Sequence, residues 1–116
     1  MTASANDAGP DIYEWDEAKA EWLIGKYALV GVSFTEAGAE RSEQYHGRIV
    51  AADRKDGISV ACEGFWQGKT FVIPPSTSVV LPANPGEYKL RATGETIINP
   101  DVLTTWRIDN GAPEPN

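Results

Sequence analysis

The sequence predicts a mainly β protein: a short N-terminal α-helix, a strongly bent five-stranded barrel, and a C-terminal accessory hairpin. Three observations carry this expectation. From Tyr27 onward, apolar residues alternate at the period of a strand, and glycine, proline and Asp-Gly punctuate the β-branched and aromatic runs. The first two runs are long and carry glycines in mid-strand, Gly31 and Gly47, where a strand can bend sharply or admit another backbone. Finally, 116 residues, 41% hydrophobic and 23% charged, suffice for one core without metal or disulfide staples and are too few for two ordinary domains.

Residues 1–10 are small and polar and end in Gly9-Pro10, which predicts a disordered leader before a single domain over 11–108. Asp11 with Glu14 three positions on approximates a capping box, and Gly25 supplies a C-terminal cap, so a helix is expected over 12–24. Ile12, Trp15, Lys19 and Trp22 fall on one stripe, with Ala18 and Leu23 beside it, turning two indoles toward the body of the protein.

Strands are expected over 26–36, 43–54, 58–63, 69–73 and 78–82, forming a meandering barrel over 26–82. Their links are Ala37-Gly38, Asp56-Gly57, the tip from Gly64 to Gly68, and Pro74-Pro75-Ser76. Residues 87–108 then read as a hairpin turning at Thr93-Gly94, followed by a last strand or helical turn in which Trp106 and Ile108 share a face. The proline-rich residues 109–116 are expected to be a disordered tail.

The formal charge of −7 is unevenly placed. Residues 1–24 carry six acids against Lys19, and the tail after Ile108 adds Asp109 and Glu114, so residues 25–108 balance at nine acids and nine bases. Acidity at the two ends predicts solubility rather than a charged active surface. The N-terminus has neither the basic start nor the apolar run of a secretory signal, Cys62 has no intramolecular partner, and no apolar stretch approaches ~20 residues. A cytoplasmic, non-membrane protein is expected.

His46 and Cys62 are the one histidine and the one cysteine, so a thiolate–imidazole nucleophile would need this pair. A two-residue turn at Asp56-Gly57 sets Cys62 opposite Ala51 and His46 opposite Gln67, which separates the two by ~16 Å and places them on opposite faces. Cys62 then reads as a small buried hydrophobe and His46 as a half-exposed strand residue, with neither catalytic nor metal-ligating roles. Asp53 and Asp56 flank a turn beside Arg54 and Lys55, a setting for solvated ion pairs in which Asp53 accepts backbone N–H bonds. Gly64-Phe65-Trp66-Gln67-Gly68 lacks the Lys-Ser/Thr and helix of a phosphate loop. Neither an enzyme nor a cofactor is expected. Arg48, Arg54 and Lys55 with Tyr45 are the nearest approach to a nucleic-acid surface, and an acidic helix opposes them.

Residues 45–58, YHGRIVAADRKDGI, resemble the first motif of the Sm family in Gly47, Ile49 and Asp53 with Ala52 before it. The element order over about 12–82 is similar to that of the Sm-like fold and its relative, the SH3-like barrel. The resemblance implies a small barrel and, as one alternative, an RNA-binding ring subunit. Where that family places an Asn that helps hold a uridine base, this chain has Asp56-Gly57. The stretch FVIPPSTSVVLPA lacks the basic residue and glycine that end the family's second motif. Both RNA-contacting elements are absent, and fold alone does not carry function.

The tip is the candidate contact point. Two adjacent aromatics in a strand point to opposite faces, so one of Phe65 and Trp66 is exposed as a partner anchor unless Trp66 folds over the barrel end against the helix. Phe65, Trp66 and Gln67, with Tyr45 and Arg48 nearby, are therefore the candidate partner-binding residues of a non-enzymatic protein-interaction module, as a monomer or homodimer. A toxin-neutralising immunity or antitoxin protein is a further alternative, on small size and the acidic N-terminal segment.

Overall fold

The computed structural model describes residues 14–36, 38–109 and 112–115. The predicted leader and the first two residues of the predicted helix lie outside them. In chain order the elements are α1 (Glu17–Leu23), β1 (Tyr27–Glu36), β2 (Ala39–Asp53), β3 (Gly57–Cys62), a 3-10 turn (Gly64–Trp66), β4 (Thr70–Ile73), β5 (Leu81–Pro82), β6 (Glu87–Lys89), β7 (Thr96–Ile98), β8 (Val102–Asp109) and β9 (Ala112–Pro115).

Helix α1 is shorter than the sequence predicts because its cap is Asp16 rather than Asp11. Asp16 Oδ1 accepts the N–H groups of Ala18 and Lys19 at 3.0 and 3.2 Å, satisfying donors the first turn leaves open. Gly25, at φ +92°, follows the last turn in the left-handed region, as a helix-ending glycine should. The buried residues are Ala20 and Leu23. Trp22 is half exposed, with Lys26 Nζ 4.7 Å over its ring, so the predicted inward indole stripe is corrected. Trp15 precedes the helix and does pack on the core.

β1 to β4 form the predicted antiparallel meander. The barrel does not follow. The predicted strand 78–82 shrinks to β5, which pairs with β8 instead of β4. β8, expected as part of an accessory segment, lies parallel to β1, with Ala28 facing Val102 and Phe34 facing Ile108. β9 then pairs with β8 in place of the expected disordered tail; its prolines fall on an edge strand, the position within a sheet that tolerates a missing N–H. The result is a seven-stranded sheet with the path β9-β8-β1-β2-β3-β4, in which β5 shares the outer edge of β8 and the path stays open. β6 and β7 make the predicted hairpin as a separate two-stranded sheet.

One face of the large sheet carries the main core: Val30, Val32, Ile49, Ile58, Val60, Ile73, Val102 and Trp106, closed by Leu23 of α1. Burial of this many large apolar side chains, at about 1.5–3 kcal/mol each, drives the assembly. Trp106 and Ile108 share this face as the alternation predicts. On the opposite face Leu29 and Leu103 lie adjacent in register and, with Tyr27, pack against Leu90, Ile97 and Tyr88. The β6–β7 hairpin is thus a cover for the second face, bolted to β2 where Ala92 N–H donates to Gln44 Oε1 at 3.0 Å.

Gly47 explains how β2 and β3 meet. A Cβ there would run into the Ala61 carbonyl and come within 3.0 Å of Cys62 Cα. Of the two roles the sequence leaves open for this glycine, close backbone approach is therefore one that it fills. The β2–β3 turn closes with Asp53 opposite Gly57 rather than Lys55 opposite Ile58, and the register shifts once more between Ile49 and Ala51, leaving Val50 as a bulge; together these set Cys62 opposite Gly47 rather than Ala51.

Candidate functional site

The segment after β3 leaves the sheet at Gly64, whose φ of +68° favours a residue without a side chain. A Cβ at this position would strike the Glu95 carboxylate and lie 2.8 Å from His46 Nε2. The following 3-10 turn is closed by Gln67 N–H to the Gly64 carbonyl, and Lys69 N–H to the Trp66 carbonyl, each at 3.0 Å.

This turn replaces the strand-like tip of the sequence expectation and changes the geometry of its aromatics. Phe65 and Trp66 meet edge to face with centroids 5.2 Å apart. Trp66 is half buried and its ring lies 5.0 Å from that of Tyr45, which stacks on Phe71 at 4.4 Å. Its inward ring contact is with Tyr45 of β2, and it packs against the main core, which includes Leu23 of α1. Phe65 remains 65% exposed.

Beside the tip is an open depression of about 620 Å³ lined by Arg48, Val50, Ala61, Glu63 and Gln67 among others. Of the five candidate contact residues, Arg48 and Gln67 line this depression, and Phe65 stands exposed in the adjoining turn. Tyr45 is buried, supporting Trp66 from below, and so is not a surface contact. Its hydroxyl donates to Glu43 at 2.6 Å, and burial first, then the Glu43 bond, pushes its ionisation well above the usual phenol range.

Behind the depression lies a polar chain that the sequence does not reveal. His46, expected half exposed, is only 4% exposed because the hairpin covers its face of β2. Its Nδ1 is 2.7 Å from the Tyr27 hydroxyl and its Nε2 is 3.0 Å from Glu95 Oε2. The Tyr27 hydroxyl also donates to Glu63 Oε1 at 3.0 Å, and the Phe65 N–H donates to Glu95 Oε2 at 3.0 Å. Arg48 lies 5.1 Å over the Tyr27 ring. Alternation along β2 reveals His46's face, but the meeting of residues 27, 46, 63 and 95 requires the hairpin's docking position.

The electrostatics favour a structural rather than a nucleophilic chain. Burial, then the hydrogen bond to Glu63, pushes the Tyr27 phenol up to about 12, so it stays protonated across the physiological range. Burial of Glu95 opposes its ionisation, but the nearby Thr93 side chain and the hydrogen bonds to His46 and the Phe65 N–H together outweigh it and hold the carboxyl below its usual range.

Cys62 is buried on the face opposite His46, and burial pushes its thiol up. The corrected register shortens the predicted separation of the two, since His46 is the chain neighbour of the Gly47 that faces Cys62. Opposite side-chain faces still keep them apart. At the β2–β3 turn Asp53 Oδ1 accepts the N–H groups of Lys55 and Asp56 at 2.7 and 2.8 Å, as the sequence suggests.

Among the described residues no three His, Cys, Asp or Glu side chains gather as metal ligands, and no described helix is long and apolar enough to cross a membrane. No protein-family model matches the sequence, and no curated protein or solved structure matches it significantly.

Proposed function

We propose that the chain is a non-enzymatic, cytoplasmic protein-interaction module that engages another protein through the tip around Phe65, as a monomer or homodimer. The observation that supports this most is the 65% exposure of Phe65 on a fixed base, edge to face with Trp66 and bound through its own N–H to Glu95. An apolar ring held rigid before binding buries area at little entropic cost, and the adjoining depression offers Arg48, Glu63 and Gln67 as a polar rim. The unpaired, buried Cys62 is compatible with a reducing compartment.

For the fold, we infer an SH3-like or Sm-like relationship limited to α1 and β1 to β4. Its support is the helix-first order, the long β1 and β2, and the tight β2–β3 turn held by Asp53. The parallel β8 is a departure from a simple meander.

Pull-down from a native lysate with wild type and Phe65→Ala, both verified as folded, tests the contact site. A partner retained by wild type and lost with Phe65→Ala is the expected result. Identical partner sets for the two would remove the tip from consideration.

A further inference from the structure

The hydrogen-bond chain around His46 has a proton count. The Tyr27 hydroxyl has one hydrogen, and ionised carboxylates only accept. If Tyr27 donates to Glu63 Oε1 at 3.0 Å, the 2.7 Å contact to His46 Nδ1 is satisfied only when Nδ1 carries a proton and donates to the phenol oxygen. The 3.0 Å contact from Nε2 to Glu95 Oε2 requires a proton on that nitrogen as well. All three bonds form together only with a doubly protonated imidazole. In the neutral ring with Nε2 protonated, Tyr27 must turn its hydrogen to Nδ1 and release Glu63.

We propose that His46 is a proton-operated clasp: protonated, it ties Glu63 and Glu95 to one point and fixes the Phe65 tip, and on losing a proton it frees Glu63 and loosens the tip. The charges around the clasp come from every packed element that faces it. Tyr27 belongs to β1, Arg48 to β2, Glu63 follows β3 and Glu95 lies in the β6–β7 turn. A second observation agrees. Glu95 Oε1 is buried without a hydrogen-bond partner, an arrangement that a neighbouring positive charge stabilises and a neutral ring does not.

Both carboxylates flank the tip. Glu63 precedes Gly64 directly, and Glu95 Oε2 accepts the Phe65 N–H. The consequence for partner binding rests on Phe65 being the contact point; the clasp itself does not.

The chain's one histidine makes the test clean. Nitrogen-15 NMR of wild type between pH 5 and 8, the interval in which imidazole ordinarily changes charge, should show both ring nitrogens protonated at the acid end. Amide exchange of Phe65, corrected for intrinsic base catalysis, should lose protection by about threefold or more toward pH 8. In His46→Gln that pH dependence should vanish.

A ring that stays neutral throughout overturns the proposal, as does Phe65 protection that is independent of pH in wild type or follows pH equally in the variant. The wild-type measurements decide even where the variant does not fold. If partner capture survives Phe65→Ala while the clasp behaves as described, the contact assignment fails and the clasp stands.

Discussion

The rings of Tyr45 and Phe71 stack with centroids 4.4 Å apart, although the residues lie on different strands separated by β3. Trp66 leans on the same tyrosine, so the inner aromatic of the tip is part of the core, while Phe65 rests on Trp66 and faces solvent. The two neighbours should therefore respond oppositely to truncation. Trp66→Ala should lower unfolding stability by about 2–3 kcal/mol, and Phe65→Ala by less than about 1 kcal/mol. Urea denaturation of both variants checks this.

The two mid-strand glycines should also separate. At Gly47 an added methyl meets the Ala61 backbone, which cannot swing away, whereas at Gly31 it meets Thr105 Cγ2 at an ordinary 3.5 Å. Gly47→Ala should cost about 3 kcal/mol by overpacking, and Gly31→Ala under about 1 kcal/mol. Thermal and urea midpoints should rank them in that order.

How much of this was legible in the sequence follows from the range of each interaction. β1 to β4, Gly25 and the hairpin at Thr93-Gly94 announce themselves through local periodicity and turn chemistry, and the structure places them close to the predicted bounds. The helix start was misread because Asp11 and Asp16 are both capable caps, and choosing between them depends on Asp16 N–H reaching Thr77 Oγ1 across 61 positions. The β2–β3 register differs from the expectation mainly because the turn closes across Asp53 and Gly57 rather than around Asp56-Gly57, and further because nothing local marks Val50 as a bulge. The parallel pairing of β8 with β1 is invisible for the same reason. Of the candidate site, Phe65 was readable as one of two aromatics of which one must be exposed. His46 was not, since its burial depends on a hairpin some 49 residues away.

Tyr27 should ionise near pH 12 rather than 10. Its neutral form is favoured in the folded state, so the associated stability is complete below pH 10 and is lost as pH rises through 12. Spectrophotometric titration of wild type against Tyr27→Phe should show the component near pH 12 missing from the variant.

Asp53 and Glu95 behave in the reverse sense. The Asp56 and Lys55 N–H groups depress the Asp53 carboxyl, and hydrogen bonding outweighs burial at Glu95. Their contribution is present above the ordinary carboxyl range, about 3.9–4.3, and disappears as pH falls through the lower folded-state value. The stability gaps between wild type and Asp53→Asn or Glu95→Gln should be full at pH 7 and shrink toward pH 3 in chemical denaturation.

Cys62 should resist thiol reagents in the native state, since burial keeps it protonated and inaccessible. Labelling with an aromatic disulfide should be slow in buffer and accelerate as urea populates the unfolded chain. Rapid labelling of the native protein would contradict the burial seen here.

The parallel seam between β1 and β8 also constrains how the molecule comes into being. Ala28 waits for Val102 and Phe34 for Ile108, so a central seam of the sheet joins segments 74 residues apart in the chain. During synthesis, β1 to β4 emerge with one flank unmatched until residues 102–109 follow. The nascent chain therefore carries an open strand, and it completes its core only once β8 has followed. Such long-range closure favours slow folding and, in vivo, dependence on whatever shields that flank meanwhile.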